Sequence, residues 1–399
     1  MSGVGFNASQ TTAQKQTELK RVIGENINRA GKITFARFME QALYHRQLGY
    51  YNSQGIEIGT KGDFFTSPSV HAIFGETVGE QLAEMWETLG RPQPFYVVEF
   101  GAGMGYLARD ILASFKKEHP EFFTALKYCI IEISAELAAK QQQLLSALEL
   151  PAGQVLWFEE LAEINQAQGF VGCILANEVV DAFPVHRVRQ TTAGLQEIYV
   201  DCAQNNLVEV LDSPSTLELE EYFNRLDIEL EPEQTAEVNL QVFQWIKEIS
   251  QYLQRGYCLI IDYGDLAPDL YAPQRFDGTL TCFRAHQLET DPFLAVGEQD
   301  ITAQVDFTTL MAVGKQTGLL TTGYTNQMRF LTGLGIVERL AKQFPPGSDS
   351  VALYKATLAI KTLMLPGGMG EVFKVLVFHK GVEPTSLRGL KRSRFRDKA

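Results

Sequence analysis

The sequence lacks any apolar run near the roughly 18 residues a membrane-spanning helix needs, so no membrane insertion is expected. Cysteine is scarce. Cys129, Cys173, Cys202, Cys258 and Cys282 are odd in number and none stands in CxxC spacing, which argues against a disulfide framework and the common zinc arrangements. Three of them, Cys129, Cys173 and Cys258, fall inside apolar runs, where a thiol serves as a small hydrophobe. No metal site is expected. Positive charge is also short, with 35 Lys and Arg against 48 Asp and Glu and a net charge of −13. Such a chain is a poor match for a phosphate backbone, and no nucleic-acid partner is expected. The first twenty residues carry neither an apolar secretory core nor an Arg-rich amphipathic pattern. A cytoplasmic protein is therefore expected.

What is present is enough apolar residue, 45% of 399, for one large domain or two ordinary ones. Residues 1–19 are polar and read as a flexible tail. A helical region with a Gly-rich loop, residues 20–94, follows. It contains short helices at 20–29 and 34–46, the second capped by Thr34, and a helix over 69–89 that ends at Gly90. Residues 95–380 then alternate between strands and helices. Apolar runs at 95–100, 127–133, 154–158, 172–176 and 256–262 predict a parallel sheet covered on both faces. An insertion at about 185–253 interrupts the alternation, first with antiparallel-looking strands, then with an acidic helical stretch over 218–253 broken by Pro232. Runs at 319–324 and 372–378 can complete the sheet, and residues 381–399 form a basic tail.

The sharpest local signal is Glu99-Phe100-Gly101-Ala102-Gly103-Met104-Gly105, where a buried strand enters a glycine turn before a helix. Glycines allow a tight turn and close approach of backbone to ligand. A dinucleotide fingerprint places its third glycine one residue later, where this chain has Tyr106. The pattern E-x-G-x-G-x-G instead resembles the first motif of the class I methyltransferases, which places Glu99 near the amino-acid end of the cofactor. Glu132 ends the next strand, where a carboxylate can accept both ribose hydroxyls of an adenosine, or can cap the following helix. Asn177-Glu178-Val179-Val180-Asp181-Ala182-Phe183-Pro184 ends the fourth strand. Two carboxylates three residues apart there can meet one guanidinium, unless Asp181 only caps a helix.

Gly62-Asp63-Phe64-Phe65-Thr66-Ser67-Pro68, the 99–105 turn, residues 177–184, Asp262-Tyr263-Gly264 and residues 297–307 occur in order. Together, over residues 37–330, they resemble the MidA-like protein arginine methyltransferases, whose mitochondrial members help assemble respiratory complex I. The resemblance implies an α/β class I methyltransferase fold, a Rossmann-like sheet with N-terminal helices and inserted β and helical segments. It implies S-adenosylmethionine as cofactor and a protein substrate presenting an arginine, on an NADH dehydrogenase-type subunit, with symmetric dimethylarginine as product. It places Gly62, Asp63, Glu99, Gly101, Gly103, Glu132, Asn177 and Glu178 around the cofactor and Asp181 nearer the substrate.

Arginine is a poor nucleophile because its guanidinium stays protonated. Carboxylates can orient one nitrogen, stabilise charge on the others and assist proton loss. Glu178 and Asp181 are assigned that role. His286 can bind substrate or relay a proton, or can be a structural histidine. The loop 59–68 reads as a lid with Phe64 and Phe65 over the adenosine, or as a rigid turn with two core phenylalanines. Two other readings compete: an assembly chaperone with a vestigial cofactor site, and a small-molecule methyltransferase.

Overall fold

A computed structural model describes residues 12–52, 66–284, 287–383 and 386–391. Its central sheet has seven long or medium strands: β1 Phe95–Phe100, β2 Leu126–Ile131, β3 Val155–Phe158, β4 Phe170–Asn177, β5 Leu253–Asp265, β6 Leu320–Asn326 and β7 Phe373–Lys380. Their spatial order is 6-7-5-4-1-2-3, and the two-residue strand Val305–Asp306 extends the tip of β5. Strands β1 to β5 are mutually parallel, while β7 inserts antiparallel between β5 and β6. The expected α/β class is therefore observed, with the order reversing direction at β1 and β4. Open α/β sheets bind ligands outside the strand carboxyl ends at such a reversal.

Successive residues of β1 explain the layering. Val97 and Val98 are both fully buried but belong to opposite faces. On one face Val97, Tyr128, Leu175 and Leu259 meet the helices Ile73–Thr88 and Tyr106–Glu118. On the other Val98, Cys129, Ile174 and Ile260 meet the helices Gln241–Tyr252 and Phe307–Thr317. Burial on both sides is why these strands read as unbroken apolar runs. Cys129, Cys173, Cys202, Cys258 and Cys282 are all free, and burial pushes the Cys129 thiol up to about 12, which leaves it inert.

A cap sits over the carboxyl edge of the sheet. Strands His186–Thr191, Gly194–Ala203 and Asn206–Asp212 pair antiparallel, as their alternation predicts. The N-terminal segment joins them: Ile33 and Thr34 pair with Val200 and Tyr199. The helix Phe35–Tyr44 starts at Thr34, whose side chain accepts from the Arg37 amide at 3.2 Å, and buries Phe35, Phe38, Met39, Ala42 and Leu43.

Three boundaries need correction. The tail does not run to residue 19, because a helix spans Thr12–Ala30. Leu19, Ile23 and Ile27 lie four residues apart on one face and are buried in the cap core. The insertion ends near residue 240 rather than 253. Thr235–Val238 is a fully buried strand paired with His186–Thr191, and the next helix packs Trp245, Ile246 and Ile249 onto the main sheet. The segment after β7 is not tail throughout, since Leu387 and Leu390 are buried and the Arg388 amide donates to Glu84. The basic run from residue 392 lies outside the described residues. Among the described residues no helix is long and apolar enough to cross a membrane.

Candidate active site

Gly101, Gly103 and Gly105 adopt φ of 56°, 53° and 82°, so all three lie in the left-handed region that glycine occupies without steric cost. Gly105 is also the N-cap of the helix Tyr106–Glu118, and a Cβ there would stand 3.3 Å from Cγ of Gln141. Gln141 holds the turn in place. Its Nε2 donates to the Gly103 carbonyl and to Oε2 of Glu132, both at 2.9 Å, while its Oε1 accepts from the Trp157 indole at 3.0 Å. Sequence reasoning missed Gln141, because its importance comes from contacts across three elements.

The two strand-end acids are both deep. Tyr128 donates to Oε2 of Glu99 at 2.8 Å. Burial pushes the Glu99 carboxyl up to about 8, the Tyr128 bond works against that shift, and the nearby Glu132 charge adds to it. Glu132 accepts from the Ser134 amide at 2.9 Å as well as from Gln141. Burial raises its pKa too, opposed by the Ser134 amide.

The loop after β4 is built around an acid on the neighbouring strand. Oδ2 of Asp262 accepts from the amides of Val179, Val180 and Asp181 at 3.2, 2.9 and 3.3 Å, and Oδ1 accepts from the Tyr263 amide at 2.9 Å. This clamp holds Glu178 at φ 56°, an uncommon conformation for a side-chain-bearing residue. Oε1 of Glu178 accepts from the Ser67 amide at 2.8 Å and from Nδ2 of Asn177 at 3.1 Å. Glu178 keeps part of its surface open, yet burial pushes its carboxyl up to about 8, countered by the Ser67 amide and reinforced by the Asp262 charge.

Glu99, Gly101, Gly103, Glu132, Asn177 and Glu178 all line one cavity of about 790 Å³. Its outer wall comes from the cap, through Arg37, Glu40, Tyr44, Tyr51 and His186, and from Phe183 and Trp245. The three strand ends thus converge as expected. Asp181 does not join them. Its side chain is 6% exposed and is absent from the lining, and burial and the charges of Asp262 and Asp300 hold its carboxyl well above the usual range. Asp181 stands behind the cavity wall, with its amide held by the Asp262 clamp. Gly62, Asp63, Phe64 and His286, with most of the 59–68 loop, lie outside the described residues. Thr66 and Pro68 reach the cavity.

The raised acids carry a stability consequence. Glu99 and Glu178 titrate at about 8 and Asp262 at about 7 in the folded protein, against ordinary values of 4.5 and 3.8. Between those limits the folded state binds more protons than the unfolded state, so stability falls as pH rises. The melting temperature of the ligand-free protein is expected to peak near about pH 5 and decline toward about pH 8.5. A flat or rising profile across that window would mean that these carboxyls are already ionised in the fold.

The cavity fits a nucleoside-sized cofactor. Its volume lies within the roughly 300–1,000 Å³ usual for small-molecule sites. A glycine turn at the strand reversal offers bare backbone, and the buried Oδ1 of Asn177, a lining residue, has no partner among the described residues. Residues 77–325 match the family described as "Putative S-adenosyl-L-methionine-dependent methyltransferase". The chain is 31% identical to the mouse protein arginine methyltransferase NDUFAF7, mitochondrial, over 90% of this chain and 83% of that one. It is 31% identical to the human protein of the same name, over 93% and 86%. A protein from Burkholderia thailandensis, crystallised bound to S-adenosyl-homocysteine, superposes with a TM-score of 0.87 at 30% identity, covering 98% of each chain. The mammalian relatives are mitochondrial by name, and this overturns the expectation of a cytoplasmic protein. A glycine turn at the strand reversal, three convergent strand ends and a matching family over most of the sheet lead to one conclusion: the chain belongs to this family of S-adenosyl-L-methionine-dependent methyltransferases.

Proposed function

We propose that the enzyme methylates an arginine of a protein partner, making symmetric dimethylarginine on a subunit of an NADH dehydrogenase-type respiratory complex and so aiding its assembly. The charge of the cavity carries this reading. Among the described residues, Glu40, Glu99, Glu132, Glu159 and Glu178 line it, against the single guanidinium of Arg37, which is itself paired with Glu40. Tyr44 and Tyr51, with ring centres 5.4 Å apart, and Phe183 against Trp245 add aromatic faces. Aromatic faces favour cations, and an entering cation draws raised carboxyls into their charged form, so a cationic acceptor suits this cavity better than a neutral or anionic metabolite. The mouse and human relatives are named protein arginine methyltransferases, which agrees.

S-adenosylmethionine supplies an electrophilic methyl group. Gly101 and Gly103 would let the backbone approach it, Glu132 would accept from the ribose hydroxyls, and Glu99 and Asn177 would hold the amino-acid end. Glu178 aligns the guanidinium: Ser67 and Asn177 fix one of its carboxylate oxygens, and the rest of the group is left for the acceptor. Asp181 only positions the loop from behind.

The test is incubation of the purified protein with methyl-labelled S-adenosylmethionine and cell extract, followed by acid hydrolysis of the labelled protein. Label in dimethylarginine is expected; label confined to small metabolites would sink the proposal. The Gln141 network provides a second check. Gln141→Ala leaves the Trp157 indole and the Gly103 carbonyl without their partner and loosens the turn. Affinity for S-adenosyl-homocysteine is expected to fall about tenfold, as for other supporting shells. Calorimetry measures it, and an unchanged Kd would show that the turn stands without Gln141.

A further inference from the structure

Among the cavity-lining residues, His186 has no part in the scheme above. It opens the cap strand His186–Thr191, two residues before Val188, which pairs with Glu197 on the adjacent strand. His186 and Glu197 are therefore diagonal neighbours on one sheet face. Nδ1 of His186 lies 2.7 Å from Oε1 of Glu197. Glu197 is fully buried, and its Oε2 accepts from the Ser215 amide at 2.6 Å, so the carboxylate is held at both oxygens. The His186 bond and the Ser215 bond outweigh burial and lower the Glu197 pKa, so it is a charged acceptor. Nε2 of His186 has no hydrogen-bond partner among the described residues, and the side chain keeps 17% of its surface open. In a neutral ring, a carboxylate at Nδ1 keeps the proton on that nitrogen and leaves the lone pair on the other.

We infer that His186, oriented by Glu197, accepts the proton that leaves the substrate nitrogen on methylation. This rests on the reading that the acceptor is a guanidinium. The nitrogen forms its bond to the methyl carbon as the carbon–sulfur bond breaks, and the bonding pair stays on sulfur. The methylated group then carries a second positive charge; one proton passes from the methylated nitrogen to Nε2 of His186, from which it escapes to water, and the product is left as a singly charged methylguanidinium. Glu178, drawn into its charged form by the guanidinium, aligns that group and remains a carboxylate through the transfer. The two tasks fall to different groups because Glu178 must remain anionic to hold a cation, while a neutral imidazole has a lone pair to give. Among the described residues, the other charged groups lining the cavity are Arg37, Glu40, Glu99, Glu132 and Glu159. Neither sequence reasoning nor the candidate His286 pointed here, because residues 186 and 197 become partners only through the hairpin.

Two measurements test this. The first needs no turnover. In the full-length protein labelled with ¹⁵N-histidine, the His186 signal, identified by its loss in His186→Gln, is expected to show the proton on Nδ1 and a bare Nε2 in the neutral form. Glu197→Gln is expected to mix the two tautomers. A wild-type signal with the proton on Nε2 overturns the inference, since that nitrogen then has no lone pair to offer. The second is labelling of the extract protein. His186→Gln is expected to lower its rate about a hundredfold, within the range for loss of an acid–base group, with affinity for S-adenosyl-homocysteine unchanged. Equal labelling by His186→Gln and wild type overturns the His186 role and leaves the arginine reading standing. Wild-type label found outside arginine overturns the arginine reading and the proton route with it.

Discussion

Glu178→Gln is expected to lower kcat/KM about 10²–10³-fold, the range for losing a single preorganised charge at a transition state. The substitution keeps the shape and an oxygen able to accept the Ser67 amide, and it removes only the charge. In the ligand-free protein burial holds Glu178 at about 8, so much of it is neutral near neutrality. A guanidinium entering the cavity draws the carboxyl into its charged form, and the pair then shares a site shielded from water. Glutamine cannot follow that change. Affinity for S-adenosyl-homocysteine should move by no more than about threefold, because the proposed cofactor contacts lie on the glycine turn, Glu99, Glu132 and Asn177 rather than on Glu178 itself. Initial rates with the labelled extract protein, beside calorimetry with S-adenosyl-homocysteine, separate the two effects. Wild-type turnover in the variant would remove Glu178 from the chemistry.

Asp262→Ala is expected to be the most damaging single change to the fold near the site. It strips the acceptor from four backbone amides at once, those of Val179, Val180, Asp181 and Tyr263. A buried donor left without a partner costs about 1–3 kcal/mol. Water entering the gap will rescue some of the four, so a loss of about 3–5 kcal/mol is expected. That is a large share of the roughly 5–15 kcal/mol that holds a typical domain together. Asp262→Asn keeps one acceptor oxygen and should lose about half as much. Urea unfolding of both variants measures this, and a loss under about 1 kcal/mol for the alanine variant would show that the loop does not depend on Asp262.

How far the sequence could be read depended on the range of the interactions. β1 is legible from its own residues, since Phe95 to Phe100 is apolar on both faces and ends at glycine. The Thr34 cap and the cap hairpins are local too, and the expected elements form there. The first helix, expected over 20–29, starts earlier than its sequence suggests, because exposed polar positions such as Thr17, Arg21 and Glu25 mask the spacing of Leu19, Ile23 and Ile27. The strand Thr235–Val238 lay in an acidic stretch that favours helix, and only pairing with His186–Thr191 makes it extended. At the site, Glu99, Glu132 and Glu178 end strands and can be found by position. Gln141 and His186 act through partners in other elements, and nothing in their immediate sequence marks them, while the Asp262-Tyr263-Gly264 motif stands out without showing that Asp262 clamps a loop on another strand. Asp181 looked equivalent to Glu178 because spacing alone does not say which way a clamped loop turns each carboxyl.

The placement of β7 has a consequence for how the enzyme is made. The strand nearest the end of the chain fills an interior position, between β5 and β6. Until Phe373–Lys380 leaves the ribosome, β5 has an unsatisfied edge and β6 has no neighbour at all. At about 5–20 residues per second, the stretch from Asp265 to Lys380 takes on the order of 5–25 s to synthesise. During that interval the nascent chain displays open β edges of the kind that seed misassociation. A message truncated anywhere before that strand yields no working fragment, and a holdase during translation should raise the yield of folded enzyme.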